Sequence, residues 1–222
     1  MEVEKTFGIV SEGITDQVIL ENILYGWTGN KNIPITRLQP KEDISGNWDK
    51  VFKYCQSIDF KGAFSFCDFV IIQIDTDFMQ RGEVTEQFKI DIQNLTVKQI
   101  IDAFKTKFIE LIGQEFYKEY SKHIIFAISV NEIECWLLPI YFYNKKAKAA
   151  KTTNCINTLN TVLKQQEGFY IDAKKMEYYE KIAKHLRKKK NIEKFAPKNP
   201  SFEIFINNIE QINLNNNKHE LN

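Results

Sequence analysis

The sequence predicts an α/β fold, in which a mainly parallel four-stranded sheet is flanked by helices and followed by a helical C-terminal extension. Two observations predict this fold. Short apolar runs alternate with amphipathic stretches as far as Tyr143, which is the pattern of βαβ units. Beyond Asn144 only helical spacing remains, over residues 155–167, 174–190 and 201–212. We therefore expect a sheet-containing domain over residues 1–143 and a helical extension with basic segments over residues 144–222.

Four short apolar segments are the candidate strands, at residues 7–10, 33–38, 69–74 and 124–128. The third, Phe-Val-Ile-Ile-Gln-Ile, is nearly continuous in apolar and β-branched residues, which is typical of a central parallel strand covered on both faces. Pro34 places the second segment near an edge of the sheet, because proline has no N–H to donate to a neighbouring strand. Helical spacing predicts further helices that begin at Thr15 and that span residues 48–58, 96–120 and 132–143.

The composition of the chain bounds its class. The 222 residues include 30 Lys+Arg and 29 Asp+Glu, which gives a formal net charge of +1, and 43% are apolar. These values exclude global disorder, and the balanced charge argues against a chain whose whole surface binds nucleic acid. No apolar run approaches the ~20 residues of a membrane helix, so no membrane partner is expected. The charged start, Met1 to Lys5, argues against a signal peptide and predicts a cytoplasmic protein.

The four cysteines, Cys55, Cys67, Cys135 and Cys155, do not form a CxxC pair. A structural zinc site needs ligands that cluster at short spacing, and this sequence lacks such a cluster. Each cysteine has apolar or aromatic neighbours. The pattern therefore predicts buried free thiols in a reducing cytoplasm.

Acidic residues follow three of the four candidate strands. Glu12 comes after the first strand, Asp75 and Asp77 after the third, and Glu132 and Glu134 after the last. The carboxyl ends of parallel strands meet at one edge of the sheet, where ligands bind. Carboxylates gathered there repel one another unless a cation offsets their charge. Oxygen ligands suit Mg²⁺ or Mn²⁺, so the sequence predicts a divalent-metal site formed by these five residues.

Each acidic group also has a structural explanation. Glu12 is compatible with a simple turn before a helix, where the helix dipole favours an acidic residue. Asp75 and Asp77 are compatible with a solvated loop, and Glu132 and Glu134 with the first turn of a helix. The metal site is favoured because all three groups follow buried strands.

Two of these segments, Ser-Glu-Gly-Ile-Thr-Asp at 11–16 and Ile-Gln-Ile-Asp-Thr-Asp at 72–77, resemble the Toprim domain of topoisomerases, primases and OLD-family nucleases. Ser-Val-Asn-Glu at 129–132 and Cys-Trp-Leu-Leu at 135–138 resemble OLD-like and small stand-alone bacterial Toprim-like proteins. The resemblance covers about residues 5–143 and implies a Rossmann-like Toprim fold for the first domain.

The resemblance also implies Mg²⁺-dependent phosphodiester chemistry. In such a site Glu12 is a metal ligand or general acid/base, and Asp75 and Asp77 hold metal. We take Glu12, Asp75, Asp77 and Glu132 as the candidate catalytic residues.

The chain departs from the Toprim pattern in several respects. Phe78 to Glu83 follows the acidic pair where many Toprim proteins have a further acidic or Gly-rich run. The sequence lacks a GxxxxGK[ST] phosphate loop, a primase zinc module and a recognisable topoisomerase breakage domain. A nuclease acting on DNA or RNA remains, or a catalytic subunit with an ATPase partner, in either case in an anti-phage defence system. Two alternatives stay open, a non-catalytic or regulatory module and a nucleotidyl or phosphoryl transferase, and so does a homo-oligomer.

Two basic segments lie in the extension, and their candidate nucleic-acid-binding residues are Lys145, Lys146, Lys148, Lys151, Arg187, Lys188 and Lys189. A solvated helical face explains such runs in many proteins. The functional interpretation is a surface that follows the phosphate backbone beside the metal site and binds it independently of sequence.

Overall fold

The computed structural model describes residues 5–41, 46–80 and 89–216. Within these ranges the chain has an α/β fold with a four-stranded parallel sheet between two layers of helices, as the sequence predicts. The strands are β1 Phe7–Val10, β2 Ile35–Gln39, β3 Phe69–Asp75 and β4 Ile124–Ser129. Their order in the sheet is β2-β1-β3-β4. The inner position of β3 and the edge position of β2, the strand that follows Pro34, are therefore confirmed.

The chain changes direction across the sheet beside β1. It passes from β1 to β2 on one side and then crosses back to β3 on the other side. In an open parallel sheet, ligands bind outside the carboxyl ends of the strands at such a switch point. Here the switch point lies between Val10 at the end of β1 and Asp75 at the end of β3.

The helices cover both faces of the sheet, and they are α1 Ile14–Thr28, α2 Trp48–Gln56, α3 Ile58–Gly62, α4 Val97–Ile112, α5 Gln114–Tyr120, α6 Leu138–Phe142, α7 Lys146–Ala149, α8 Cys155–Gln166, α9 Met176–Ala183, α10 Lys189–Phe195 and α11 Pro200–Asn216. Alternate strand residues face two separate hydrophobic clusters, because side chains of a strand alternate between its faces. On β3, Ile71 packs with α1 and the C-terminal helices, whereas Val70 and Ile72 pack with α2 to α5. No helix in the described ranges is long and apolar enough to cross a membrane.

Three of the predicted helices are divided in the structure. Residues 96–120 form α4 and α5, since Gly113 between them has a φ of +96°, a conformation that favours glycine. Residues 132–143 begin with a 3₁₀ turn, Ile133–Leu137, before α6. The predicted helix over 174–190 is likewise split, into α9 and the start of α10.

The C-terminal helices pack directly on the sheet domain and share one hydrophobic cluster with α1. Trp136, in the turn after β4, stacks on Phe202 and Phe205 of α11, with ring centroids 5.2 and 5.1 Å away. Gly26 of α1 allows a close approach, because a Cβ atom there would lie 1.9 Å from the carbonyl oxygen of Leu186. The backbone of the extension therefore lies against the backbone of α1.

Two of the four cysteines form a disulfide, Cys135–Cys155. The prediction of free thiols is wrong for this pair. The turn after β4 packs against the start of α8, which brings two residues 20 positions apart in sequence to a Cα–Cα distance of 5.1 Å. Cys55 and Cys67 are free and buried, as predicted.

Candidate metal and active site

The carboxyl ends of β1, β3 and β4 bring acidic residues together at the switch point. The backbone N–H of Asp75 donates to Oε1 of Glu12 at 2.8 Å. The Oδ1 atom of Asp75 in turn accepts from the backbone N–H of Ile133, in the turn after β4, at 2.9 Å. These two hydrogen bonds connect three strand ends that lie 58 to 63 positions apart in sequence.

Gln73 fixes the same two carboxylate segments from inside β3. Its side-chain Nε2 donates to Asp75 Oδ1 at 2.9 Å, and its Oε1 accepts from the backbone N–H of Glu12 at 3.3 Å. Gln73 is fully buried. The sequence signal was a single polar residue in an otherwise apolar strand, two positions before Asp75 and hence on the same face. Sequence reasoning assigned it no role.

Asp16 is a further acidic residue of the cluster. It lies in the first turn of α1 and is only 2% exposed. Its carboxylate accepts hydrogen bonds from the Gly13 backbone N–H and from Thr15 Oγ1, the latter at 3.4 Å. The sequence signal for it was an acidic residue four positions after Glu12, at the start of a helix that begins beside the site.

Glu134 is buried in the cluster and is held by two residues of the extension. Its side chain is 0% exposed, whereas the side chain of Lys174 is 52% exposed. Oε1 of Glu134 accepts from the Tyr179 hydroxyl at 2.6 Å and lies 3.1 Å from the Lys174 ammonium. The other oxygen, Oε2, is buried and has no hydrogen-bond partner among the described residues. Lys174 precedes α9 and Tyr179 lies within it, and neither shows a local signal in the sequence.

Glu132 and Asp77 lie at one side of the cluster, where both line an open pocket of about 400 Å³. Oε1 of Glu132 accepts from the backbone N–H of Cys155 at the start of α8, at 2.6 Å. The remaining lining residues are Asn131, Thr153, Asn154, Ile156 and Asn157. The pocket is therefore polar and next to the carboxylates. Glu83, which follows Asp77 in the sequence, lies outside the described residues.

Burial and mutual repulsion raise the pKa values of the clustered carboxyls. Burial is the larger cause for each group. It raises the pKa of Glu12 to about 8 and that of Asp16 to about 7, and the negative charge of a neighbouring carboxylate, Asp16 for Glu12 and Glu134 for Asp16, adds to each increase. Burial and the charge of Glu12 raise the pKa of Asp75 well above its usual range. The folded protein therefore resists full ionisation of this cluster.

Lys174 supplies a positive charge to the cluster. Burial disfavours its ammonium, but the charges of Glu134, Asp16 and Asp75 outweigh that effect and raise its pKa. One ammonium among the four carboxylates of Glu12, Asp16, Asp75 and Glu134 leaves an excess of three negative charges when all are ionised.

The carboxylates offer the oxygen ligands that a hard divalent cation takes, but within the described ranges no three of them have ligand oxygen atoms that all lie within 4.8 Å of one another. In each of Glu12, Asp75 and Glu134, a protein donor holds one carboxylate oxygen, while the second oxygen has no hydrogen bond within the described ranges. Such oxygens are the ligands that Mg²⁺ and Mn²⁺ prefer, and the buried Oε2 of Glu134 has no hydrogen-bond partner in the described ranges. Mg²⁺ commonly takes one or two carboxylates and completes its octahedron with water. One or two of these carboxylates would therefore be enough to bind the ion.

A tighter group of metal-type ligand atoms lies beside the carboxylates. In the part of the chain that the structure describes, the one group of three such atoms within 4.8 Å of one another comprises Glu132, Cys135 and Cys155. Both sulfur atoms of that group are joined in the disulfide. This group therefore does not form a thiolate metal site in the disulfide-bonded protein.

The predicted basic residues lie around the extension and not within the carboxylate cluster. Lys145, Lys146 and Lys148 are exposed at α7, and Lys188 and Lys189 are exposed at the start of α10. Lys151 donates to Thr158 Oγ1 at 2.9 Å, and Arg187 donates to the side chain of Asn22 in α1. Lys151 and Arg187 thus also bind other parts of the protein. The proposed contact of all seven residues with nucleic acid stays a prediction.

Comparison of the chain with protein-family models, with curated proteins and with solved structures finds no match in any of the three. The function of the chain is therefore inferred from the site itself and from the motifs in the sequence.

Proposed function

We propose that this protein is a divalent-metal-dependent nuclease that hydrolyses phosphodiester bonds of DNA or RNA, with Mg²⁺ or Mn²⁺ as its cofactor. The observation that carries the proposal is the carboxylate cluster at the switch point, where Glu12, Asp75 and Glu134 each keep one oxygen that accepts no hydrogen bond from the described part of the chain. The resemblance of the segments around Glu12 and Asp75 to Toprim motifs also implies metal-dependent phosphodiester hydrolysis. Cytoplasmic location, a role in anti-phage defence and a homo-oligomeric state are part of this proposal.

Glu12, Asp75 and Glu134 are the residues that would hold the metal, with Asp16, Asp77 and Glu132 around them. When bound, a divalent ion supplies positive charge toward the scissile phosphate and lowers the pKa of an attacking water. The protein's own contribution is to fix the carboxylates. The backbone N–H of Asp75 holds one oxygen of Glu12, and the backbone N–H of Ile133 and the side chain of Gln73 hold one oxygen of Asp75. The Tyr179 hydroxyl holds one oxygen of Glu134.

Lys174 is suited to stabilise charge on the phosphate. Its side chain is half-exposed, and its ammonium lies 3.1 Å from Glu134. A positive group at the mouth of the site stabilises the additional negative charge that develops on the phosphate during hydrolysis. Glu12 is partly exposed at the same edge and is placed to assist proton transfer to or from the reacting groups.

The pocket beside Asp77 and Glu132 supports a substrate larger than a free phosphate. Its volume is about 400 Å³, and among the described residues no lysine or arginine lines it. Affinity for the phosphate backbone would therefore come from Lys174 and from the basic segments, through contacts that weaken with salt.

A cleavage assay with matched variants tests the proposal. We expect the purified full chain to cleave at least one member of a panel of single- and double-stranded DNA and RNA when Mn²⁺ or Mg²⁺ is present, and not after chelation. Glu12→Gln should lower this cleavage strongly. Glu115→Gln, which removes an exposed acidic residue from α5, should leave it unchanged.

The outcome of this assay also separates the alternatives. Metal binding without cleavage of any polymer would contradict the nuclease and favour a regulatory module that acts with an ATPase partner. Turnover of free nucleotides without degradation of polymers would instead favour a nucleotidyl or phosphoryl transferase.

A further inference from the structure

The Cys135–Cys155 disulfide lies next to residues of the carboxylate cluster. Cys135 follows Glu134 directly, in the 3₁₀ turn Ile133–Leu137 after β4. Cys155 is the first residue of α8, which belongs to the extension. The bond therefore connects the turn that carries Glu134 to a helix outside the sheet domain.

Both cysteines also lie close to the hydrogen bonds that orient the carboxylates. The backbone N–H of Cys155 donates to Glu132 Oε1 at 2.6 Å. Two residues before Cys135, the backbone N–H of Ile133 donates to Asp75 Oδ1 at 2.9 Å. Any shift of the turn relative to α8 thus changes the positions of Glu132, Glu134 and the donor to Asp75 together.

Other contacts hold the same two segments more weakly. The side-chain Nδ2 of Asn199 donates to the carbonyl oxygens of Cys135 and Lys151 at 3.3 and 3.2 Å. Nδ2 of Asn131 donates to the carbonyl oxygen of Thr152 at 2.6 Å. These bonds remain when the disulfide is broken, so reduction should loosen the connection without separating the two segments.

We propose that Cys135 and Cys155 form a reversible redox-modification site that sets the geometry of the carboxylate cluster. The inference rests on the proposed function, since it treats the clustered carboxylates as metal ligands. Disulfides in cytosolic proteins are commonly transient and redox-sensing. In the cytoplasm proposed above, the two thiols are the resting form and the disulfide is the response to an oxidant.

The chemical step is thiol–disulfide exchange with a low-molecular-weight disulfide. One cysteine thiolate attacks a sulfur of the small disulfide, and a mixed disulfide forms while one small thiol leaves. The thiolate of the second cysteine then attacks the sulfur of the first cysteine in this mixed disulfide and releases the second small thiol. In total, one S–S bond forms in the protein, one is broken in the oxidant, and two protons pass from the protein thiols to the released thiols.

Both sulfur-bearing residues are buried, with Cys135 at 1% and Cys155 at 0% exposure. The exchange therefore needs a local opening of the turn or of the start of α8. Cys55 and Cys67 are also buried, but they lie in the hydrophobic cluster on the opposite face of the sheet, with α2 to α5. They serve as internal controls, because their oxidation state should not affect the carboxylates.

Thiol counting and Mn²⁺ affinity test the inference on the full chain. The protein is treated with oxidised glutathione or with a phosphine reductant, and the reagent is removed. Alkylation in denaturant should count two thiols in the oxidised form and four in the reduced form. Calorimetry with MnCl₂ should give a Kd about tenfold higher for the reduced form, since loss of groups that orient metal ligands typically weakens binding by about 10- to 100-fold.

Two variants provide the controls. Cys135→Ala/Cys155→Ala should bind Mn²⁺ with the weaker affinity in both buffers, and Cys67→Ala should keep the full redox response. If the double variant does not fold, the comparison of oxidised and reduced wild-type protein decides alone. Four reactive thiols after treatment with oxidised glutathione, or equal Kd values for the two forms, would overturn the inference.

These results separate the inference from the proposed function. A Kd that responds to oxidation in a protein that cleaves no nucleic acid supports the redox site and contradicts the nuclease. Cleavage and Mn²⁺ binding that are identical in both forms contradict the redox site alone. Absence of Mn²⁺ binding in both forms contradicts both.

Discussion

The carboxylate cluster has two sides that are held in different ways. On the sheet side, Glu12 and Asp75 are fixed by backbone N–H groups and by the buried Gln73. On the extension side, Glu134 is held by the side chains of Lys174 and Tyr179. The strand register determines the first set of contacts, whereas the second set depends on how the C-terminal helices pack. The sheet side therefore depends on strand pairing, whereas the extension side depends on side-chain contacts between packed helices.

The largest expected effect comes from Asp75 on the sheet side. In Asp75→Asn the amide oxygen can still accept from Ile133 and Gln73, so the fold should persist while the negative charge is lost. We expect single-turnover cleavage with Mn²⁺ to fall about a thousandfold, which corresponds to about 4 kcal/mol of lost transition-state stabilisation. Circular dichroism confirms the fold. A rate within threefold of wild type would show that Asp75 is not part of the reacting site.

The next largest effect is expected for Lys174 on the extension side. Lys174→Ala removes the positive charge beside Glu134, and we expect cleavage to fall about a hundredfold, as for other lost charge-stabilising donors. Lys174→Arg should recover part of the rate, and Lys175→Ala is the control for a neighbouring exposed lysine. Equal rates for Lys174→Ala and Lys175→Ala would restrict Lys174 to a structural role.

The stability of the metal-free protein should decrease with rising pH, because the buried carboxyls of Glu12 and Asp16 lose their protons as the pH rises. Burial raises the folded pKa of Glu12 to about 8 and of Asp16 to about 7, above the ~4 of unfolded carboxyls. The folded state thus binds more protons than the unfolded state across this interval, and stability is lost as pH rises from about 4 to 8.

Thermal denaturation at pH 5.5 and pH 8 with EDTA measures this pH dependence. We expect a Tm lower by several degrees at pH 8, and we expect 5 mM MgCl₂ to reduce the difference because the cation replaces the protons. A Tm that is equal or higher at pH 8 in EDTA would contradict the raised pKa values of Glu12 and Asp16 in the folded protein.

Tyr179 offers a smaller change on the extension side. Tyr179→Phe deletes the hydroxyl that donates to Glu134 at 2.6 Å and leaves that buried oxygen with Lys174 alone. A hydrogen bond to a charged group contributes about 1.5–3 kcal/mol, so we expect the free energy of unfolding in urea to fall by about 2 kcal/mol. Tyr178→Phe, at a half-buried neighbouring position, should change it by less than about 0.5 kcal/mol.

The smallest effect is expected for the basic segments that surround the extension. Lys188→Ala should reduce the salt dependence of nucleic-acid binding by about one unit in the slope of log K against log [salt]. Fluorescence anisotropy with a labelled oligonucleotide between 50 and 200 mM NaCl measures the slope. An unchanged slope for Lys188 together with a reduced slope for Lys174→Ala would limit phosphate contact to the site itself.

The sequence predicts the sheet side of the site far better than the extension side. Apolar runs identify the strands, and the parallel order then requires Glu12 and Asp75 to meet at one edge. By contrast, Lys174 and Tyr179 reach Glu134 only through tertiary packing of the extension, which periodicity does not encode. The Cys135–Cys155 bond was missed for the same reason, because the two cysteines are separated by 20 positions and by two short helices, α6 and α7, that the pattern does not orient.

The spread of the cluster along the chain also affects how the protein is made. Its members extend from Glu12 to Tyr179, so the complete site depends on contacts of very long sequence separation. Chains are synthesised at about 5–20 residues per second, and Tyr179 therefore follows Asp75 by about 5–20 s. During that interval a nascent chain carries the strand-end carboxylates without the lysine and tyrosine that hold Glu134. A nuclease built in this way would remain inactive until Tyr179 has been synthesised.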